Sequence, residues 1–204
     1  MFGLQFIDEK IKQNLEQISS QKIVFTKELE LIEYVKTGYK SDNCFPVDGW
    51  EKFNTNFNFT NTDEHFYFHI KFHSFAITEN QSVYFRVKTG REDLRSETNP
   101  QGLIYINDKI VQAVDTNHYL VKLNPDTDID LYCYYYTGME KCNSYFKPDM
   151  VIIDNRIEAL YYDVVVESVY QVLAVVDVFS IGFLYASSRG CVASCLTISC
   201  RSTH

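Results

Sequence analysis

The stretch "HFYFHIKFH", His65 to His73, decides the fold, because two periodicities compete for it. Read with a helical period, His65, His69 and His73 stack on one face, as zinc ligands would. Read with a period of two, Phe66, Phe68, Ile70 and Phe72 fall on one side, and His65, Tyr67, His69, Lys71 and His73 on the other. A helix would mix these two sets around its circumference, whereas a strand separates them cleanly. The strand reading therefore governs, with the apolar stripe towards a core and the histidines on a solvated polar face. On a strand, every second residue lies about 7 Å away and every fourth about 13 Å away, so the three imidazoles cannot share one ion.

The same alternation recurs on either side. In "SVYFRVKTG", Val83, Phe85 and Val87 oppose Tyr84, Arg86 and Lys88. "GLIYINDKIVQAV" reads as a hairpin folded at Asn107-Asp108, residue types that tolerate the left-handed backbone of a tight turn. "DLYCYYYTG" and "EALYYDVVVE" read as two further strands. Several short strands separated by turn signals predict an antiparallel β-sandwich or jelly roll rather than a parallel α/β sheet. An aromatic share of 15%, from 15 Tyr, 15 Phe and the single Trp50, agrees with that class.

Helices are expected only at the two ends of this region. Ile7, Ile11, Leu15 and Ile18 form one stripe of an N-terminal helix, too short to hold itself in water and so expected to dock on the sandwich. Val169, Val172, Leu173 and Val176 carry the spacing of a second helix. Residues 1–21 are thus assigned to the first helix, 22–166 to the sandwich, and 167–177 to the start of a linker helix.

Residues 178–204 form an atypical tail, with no Asp or Glu, six Ser and half of the cysteines. Without its two arginines the rest of the chain carries a net charge of -10, against -8 for the whole. A non-native or disordered segment is the leading reading of this tail. A membrane span from Val169 to Ala186 is interrupted by Gln171 and Asp177, and a carboxylate is costly at a bilayer centre. Cys191, Cys195 and Cys200 lack the paired spacing of a structural zinc site.

The acidic balance, with no clustered Lys or Arg, argues against a nucleic-acid partner. The N-terminus lacks a signal-peptide pattern, and Cys44, Cys133 and Cys142 show no paired spacing, so free thiols and a cytoplasmic location are expected. No nucleophile elbow, phosphate loop, zinc-protease or dinucleotide motif occurs. Glu92 and Asp93 read as loop carboxylates. Asp126, Asp128 and Asp130 echo a calcium loop but lack its central Gly and distal Glu.

The densest motif is "NPQGLIYINDKIVQAVDTNHYLVKL", Asn99 to Leu123. With "VYFRVKTG" before it, and "YYYTGME" and "IDNRIEALYYDVVV" after it, the chain resembles the N-terminal region of cytosolic and bacterial-type α-mannosidases of glycoside hydrolase family 38. The matching residues are Asn99, Pro100, Gln101, Asn107, Gln112, Asp115, Asn117 and His118, and Gly49-Trp50 fits the start of such proteins. The likeness covers residues 1–177 and departs from the pattern at Gly102, Asp108 and Ala113.

The resemblance implies a jelly-roll, galactose-binding-like sandwich that precedes a catalytic domain. In the full-length family enzyme that domain holds zinc through a His-x-His-x-Asp motif, together with the Asp nucleophile of a retaining glycosidase. No such motif occurs in this sequence, so no catalytic or metal-binding residue and no cofactor is assigned to the chain. The expected role is that of a truncated α-mannosidase-like protein, inactive alone. Its partners would be the parent catalytic domain or other subunits.

Two residue groups remain as candidates. Asn99, Gln101, Asp115, Asn117 and His118 read first as turn-formers and second as a domain-contact surface. Tyr132, Tyr134 and Tyr136 share one strand face and read first as cross-strand packing. Their sharper reading is a sugar-stacking platform, which would make the chain a carbohydrate-binding module with α-mannosides as ligands. A non-enzymatic interaction domain is the third reading.

Overall fold

The computed structural model describes residues 2–39, 45–92, 99–141 and 143–167. The first helix, α1, runs Phe2–Lys22. Ile11, Leu15 and Ile18 are half-buried along it while the residues between them are exposed, so the apolar stripe is the face it uses.

Among the described residues twelve strands follow: β1 Ile23–Glu28, β2 Ile32–Thr37, β3 Glu51–Lys52, β4 Asn58–Phe59, β5 His65–His73, β6 Gln81–Lys88, β7 Gln101–Ile106, β8 Lys109–Val114, β9 Leu120–Lys122, β10 Asp128–Tyr136, β11 Ser144–Tyr145 and β12 Lys147–Asp154. They form a six-stranded sheet, β3-β2-β5-β10-β7-β8, a four-stranded sheet, β1-β12-β6-β9, and the small pair β11-β4. Every pairing is antiparallel.

The two larger sheets share one core, which makes the fold a β-sandwich. Phe66, Phe68 and Ile70 of β5, Ile104 of β7 and Leu131 of β10 meet Val83, Phe85 and Val87 of β6, Val121 of β9 and Met150 of β12. The alternation in His65–His73 is thus realised: its even residues enter the core, with Phe68 fully buried. Phe68 lies flat against Phe146, ring centres 3.8 Å apart, and Phe53 meets it edge-on at 4.9 Å. The hairpin also forms as its sequence directs. Asn107 and Asp108 have φ of 50° and 62°, the left-handed pair that matches the twist of β7 and β8.

On the outer face of the four-stranded sheet, the fully buried Asp149 holds Arg86 through two hydrogen bonds. Nε donates to Oδ1 at 2.8 Å and Nη2 to Oδ2 at 2.6 Å. Lys88 Nζ adds a contact to Oδ2 at 3.1 Å.

Two expectations are corrected. "EALYYDVVVE" is not a strand: residues 155–167 are helical (α2), and the sandwich closes at Asp154 rather than at 166. Asp154 caps this helix, its Oδ1 accepting from Arg156 N at 2.9 Å, and Ile157, Tyr161, Val164 and Val165 are half-buried at helical spacing. A carboxylate at the helix start and an i, i+4, i+7, i+8 stripe outweigh the strand preference of three consecutive valines. The chain accordingly divides into two compact units, Gln21–Arg156 and a second that takes in residues 2–20 and 157–167.

The histidine face of β5 is solvated only at its far end, where Lys71 and His73 are exposed. His65 and Tyr67 are buried at the near end, because a second, aromatic cluster lies on that side of the sheet. The expected tail at 178–204, the helical pattern from Val169 to Val176, Cys44, Asp93 and Cys142 lie outside the described residues.

Candidate functional site

The outer face of the six-stranded sheet is built from residues that alternate with the core. In register, Tyr132 of β10 lies between His69 of β5 and Tyr105 of β7, Tyr134 between Tyr67 and Leu103, and Tyr136 between His65 and Gln101. Tyr67, Tyr105 and Tyr134 make a compact aromatic patch. Phe45 and Trp50, from the loop ahead of β3, cover one end of it. The Phe45 ring stacks on Tyr132 at 4.4 Å, and His69 stacks on the same ring at 4.2 Å with an interplanar angle of 4°.

Tyr132 is therefore not an open platform: both its neighbours are protein rings. Desolvation, followed by the nearby Asp130 carboxylate, pushes its phenol up from the ordinary value. The row Tyr132, Tyr134, Tyr136 divides accordingly, Tyr132 into packing and the other two into the wall of a cleft.

That cleft, of about 720 Å³, opens at the other end of the face. Its origin is a difference in side-chain height. Leu103 on β7 pairs with the small Ala113 on β8, leaving a hollow beside the taller Tyr134 and Tyr136 on β10. Gly102 borders the cleft through its backbone, while its Cβ position is turned to the core side, towards Val114 and Cys133. A Cβ there would lie 2.9 Å from the Tyr134 carbonyl and 3.0 Å from a Val114 methyl, so no side chain fits at that position without displacement.

His65 is the best-tied group in the cleft. Its Nδ1 shares a 2.6 Å hydrogen bond with the Tyr134 hydroxyl, its ring stacks on Tyr136 at 4.7 Å, and Tyr39 stands edge-on to it at 5.9 Å. Its Nε2 lies 3.6 Å from Asp63 Oδ1, and the Tyr136 hydroxyl donates to the same oxygen at 3.4 Å. Desolvation, then the Asp63 charge, raise the Tyr136 phenol above its ordinary value.

Of the sequence candidates, Gln101, Asp115, Tyr134 and Tyr136 line this cleft together. Asp115 also closes the turn after β8. Its Oδ1 accepts from Asn117 N at 2.8 Å, from His118 N at 2.7 Å and from His118 Nδ1 at 3.0 Å. Partial burial pulls this carboxyl up, but the hydrogen bonds from Asn117 and His118 outweigh it and hold the group below the usual carboxylate range. Asn117 and His118 thus serve the turn, the structural reading of that motif. Asn99 packs its amide against Gly138, whose φ of 98° and lack of a Cβ make room for it.

Asp63, His65, Tyr39 and Met139 belong to the cleft without having been selected from the sequence. His65 alone carried a signal, as the first residue of the alternating stretch.

The remaining carboxylate–histidine groups pair along the sheet rather than converging. His69 reaches Asp130 Oδ1 at 2.7 Å and Glu33 Oε2 at 3.3 Å. His73 reaches Asp128 at 2.8 Å and Asp126 at 3.1 Å. The acids of "NPDTDID" are thus histidine and lysine partners, Lys71 reaching Asp130 at 3.3 Å. Glu92 caps the turn before it, its Oε1 accepting from Gly90 N at 3.0 Å and from Thr89. Among the described residues no group of three or more His, Cys, Asp or Glu is placed to hold a metal ion. No helix among them is long and apolar enough to cross a bilayer. Cys133, free and fully buried on β10, has its thiol pushed up by that burial.

Comparison with protein-family models and with curated proteins gave no match.

Proposed function

We propose that this chain is a non-catalytic accessory β-sandwich of an α-mannosidase-like protein of glycoside hydrolase family 38, acting in domain docking or oligomer contact. The observation that carries the reading is the use made of Asn99–Leu123, the stretch in which the resemblance is densest. It forms β7, the edge strand β8 and the Asp115 turn in succession. As the outermost strand of its sheet, β8 presents Ile110 and Val111 to solvent at 56% and 48% exposure. An edge strand with exposed β-branched side chains is a surface that an adjoining domain or subunit would cover. Zinc and the carboxylate nucleophile belong, on this reading, to a catalytic domain whose His-x-His-x-Asp motif is not in this sequence. A cytoplasmic location goes with it, supported by the free thiol of Cys133.

The test is hydrolysis of an aryl α-mannoside by the purified 204-residue chain, with and without added zinc. The expected result is no turnover above buffer in either condition. Metal-dependent turnover that co-purifies with the chain would overturn the accessory reading.

A further inference from the structure

The cleft beside Tyr136 has an aromatic wall whose rings are held in place by the protein itself. His65, buried among them, lies nearly parallel to Tyr136 at 4.7 Å and to Tyr134 at 5.8 Å, with an interplanar angle of 18° in each pair. The 2.6 Å bond between His65 Nδ1 and the Tyr134 hydroxyl pins this stack. Tyr39, 81% exposed, stands across it at 88° to the His65 ring, so two ring surfaces meet at a corner. Leu103 and Ala113 make an apolar floor, and the exposed Met139 adds a polarisable thioether at the rim.

Two carboxylates flank these rings. The hydrogen bonds from Asn117 and His118 keep Asp115 ionised well into the acid range. Asp63 accepts from the Tyr136 hydroxyl at 3.4 Å, which sets a negative group beside that ring. Its side chain is 70% exposed and therefore screened by water, so alone it would select little. The rings add to it: the face of a tyrosine carries the negative part of its quadrupole, so rings and carboxylates favour a guest of the same sign.

The apolar floor decides which cation fits. A primary ammonium is a compact, strongly hydrated charge that keeps its water. A methylated ammonium spreads its charge over C–H surface, which can rest on ring faces and on Leu103 without losing hydrogen bonds. The cleft volume of about 720 Å³ is in the range that takes a small organic molecule. We infer that this cleft is a binding site for a methylated ammonium group, seated against Tyr39 and Tyr136 with Asp63 and Asp115 as counter-charges. The inference stands on the cleft alone. It goes beyond the docking role, which its failure would leave intact.

The test is a backbone-amide NMR titration of the 204-residue chain with choline chloride, against sodium chloride at equal ionic strength. A parallel titration uses 3,3-dimethylbutan-1-ol, the neutral carbon isostere of choline. Choline is expected to shift the amides of residues 63–65, 101–103 and 134–136, and the isostere to bind about tenfold more weakly, the loss of one cation–ring contact. A short peptide carrying trimethyl-lysine forms a third arm, which tells a free amine from a protein-borne one; binding of either supports the inference. Tyr39→Leu, an exposed change, should weaken choline about tenfold, while Tyr39→Phe keeps the ring and should bind as the parent does. Lys71→Ala, on the same sheet face but outside the cleft, should leave binding unchanged. The inference is overturned if neither choline nor the peptide shifts these amides at ~100 mM choline, far above weak millimolar affinity. It is equally overturned if the shifts map to another surface, or if the isostere binds as tightly as choline.

Discussion

Replacing Phe68 by Ala tests the alternation on which the fold rests. Phe68 is fully buried, stacked on Phe146 at 3.8 Å and met by Phe53 and Tyr135 at 4.9 and 5.7 Å. Truncating a buried Phe to Ala costs about 3–5 kcal/mol, from lost transfer energy plus the cavity left behind. Within that range about 4 kcal/mol is expected here, since the site is packed with rings that cannot collapse freely into the space. For a chain of this length that lowers Tm by about 8–16 °C. The control is Lys71→Ala, three residues along the same strand on the opposite face, with a side chain 67% exposed and a single contact to Asp130. Its cost should stay within about 0.5 kcal/mol. Urea unfolding followed by far-UV circular dichroism, with Trp50 fluorescence as a second probe, reads both variants. Equal destabilisation, or a larger loss for Lys71→Ala, would refute the assignment of even residues to the core.

Asp149→Asn should cost about 3–5 kcal/mol in the same assay, since it leaves Arg86 and Lys88 without the buried charge they surround. Asp108→Gly should stabilise the chain by about 0.5–1 kcal/mol, because glycine adopts the observed φ of 62° without the penalty of a Cβ. His73 donates to Asp128 and then to Asp126, and these bonds raise its imidazole above the ordinary 6.5. A raised folded value means that the favourable contribution is fully present below pH ~6.5 and is lost as pH rises through the folded value. NMR titration of the ring should therefore give a midpoint above 6.5 that Asp126→Asn with Asp128→Asn returns to the ordinary range; no change in the double variant would contradict the pairing.

The two-residue period of β5, β6 and β10 was legible because a half-buried strand writes its core face directly into every second residue. The Asn107-Asp108 turn was legible for a similar reason, as residue type alone permits the left-handed backbone. The strand expected at 158–167 is a helix because the local strand preference of Val164, Val165 and Val166 is outweighed by the Asp154 cap and the stripe from Ile157 to Val165, which span a longer window. The cover over Tyr132 could not be read from β10: it comes from Phe45, almost ninety positions earlier in the chain, and strand periodicity does not name what packs across a face. The cleft was half legible. Gln101, Asp115, Tyr134 and Tyr136 stood out as types, but their convergence with Asp63, His65 and Tyr39 depends on the order β5-β10-β7-β8, which no local pattern encodes.

The accessory-domain account is tested most directly by sequencing the transcript beyond the codon for Asp177 and translating all three frames. The account predicts that one frame continues into a polypeptide bearing a His-x-His-x-Asp motif, the zinc-binding signature of the catalytic domain it assigns to this sandwich. Unrelated sequence in every frame would contradict it.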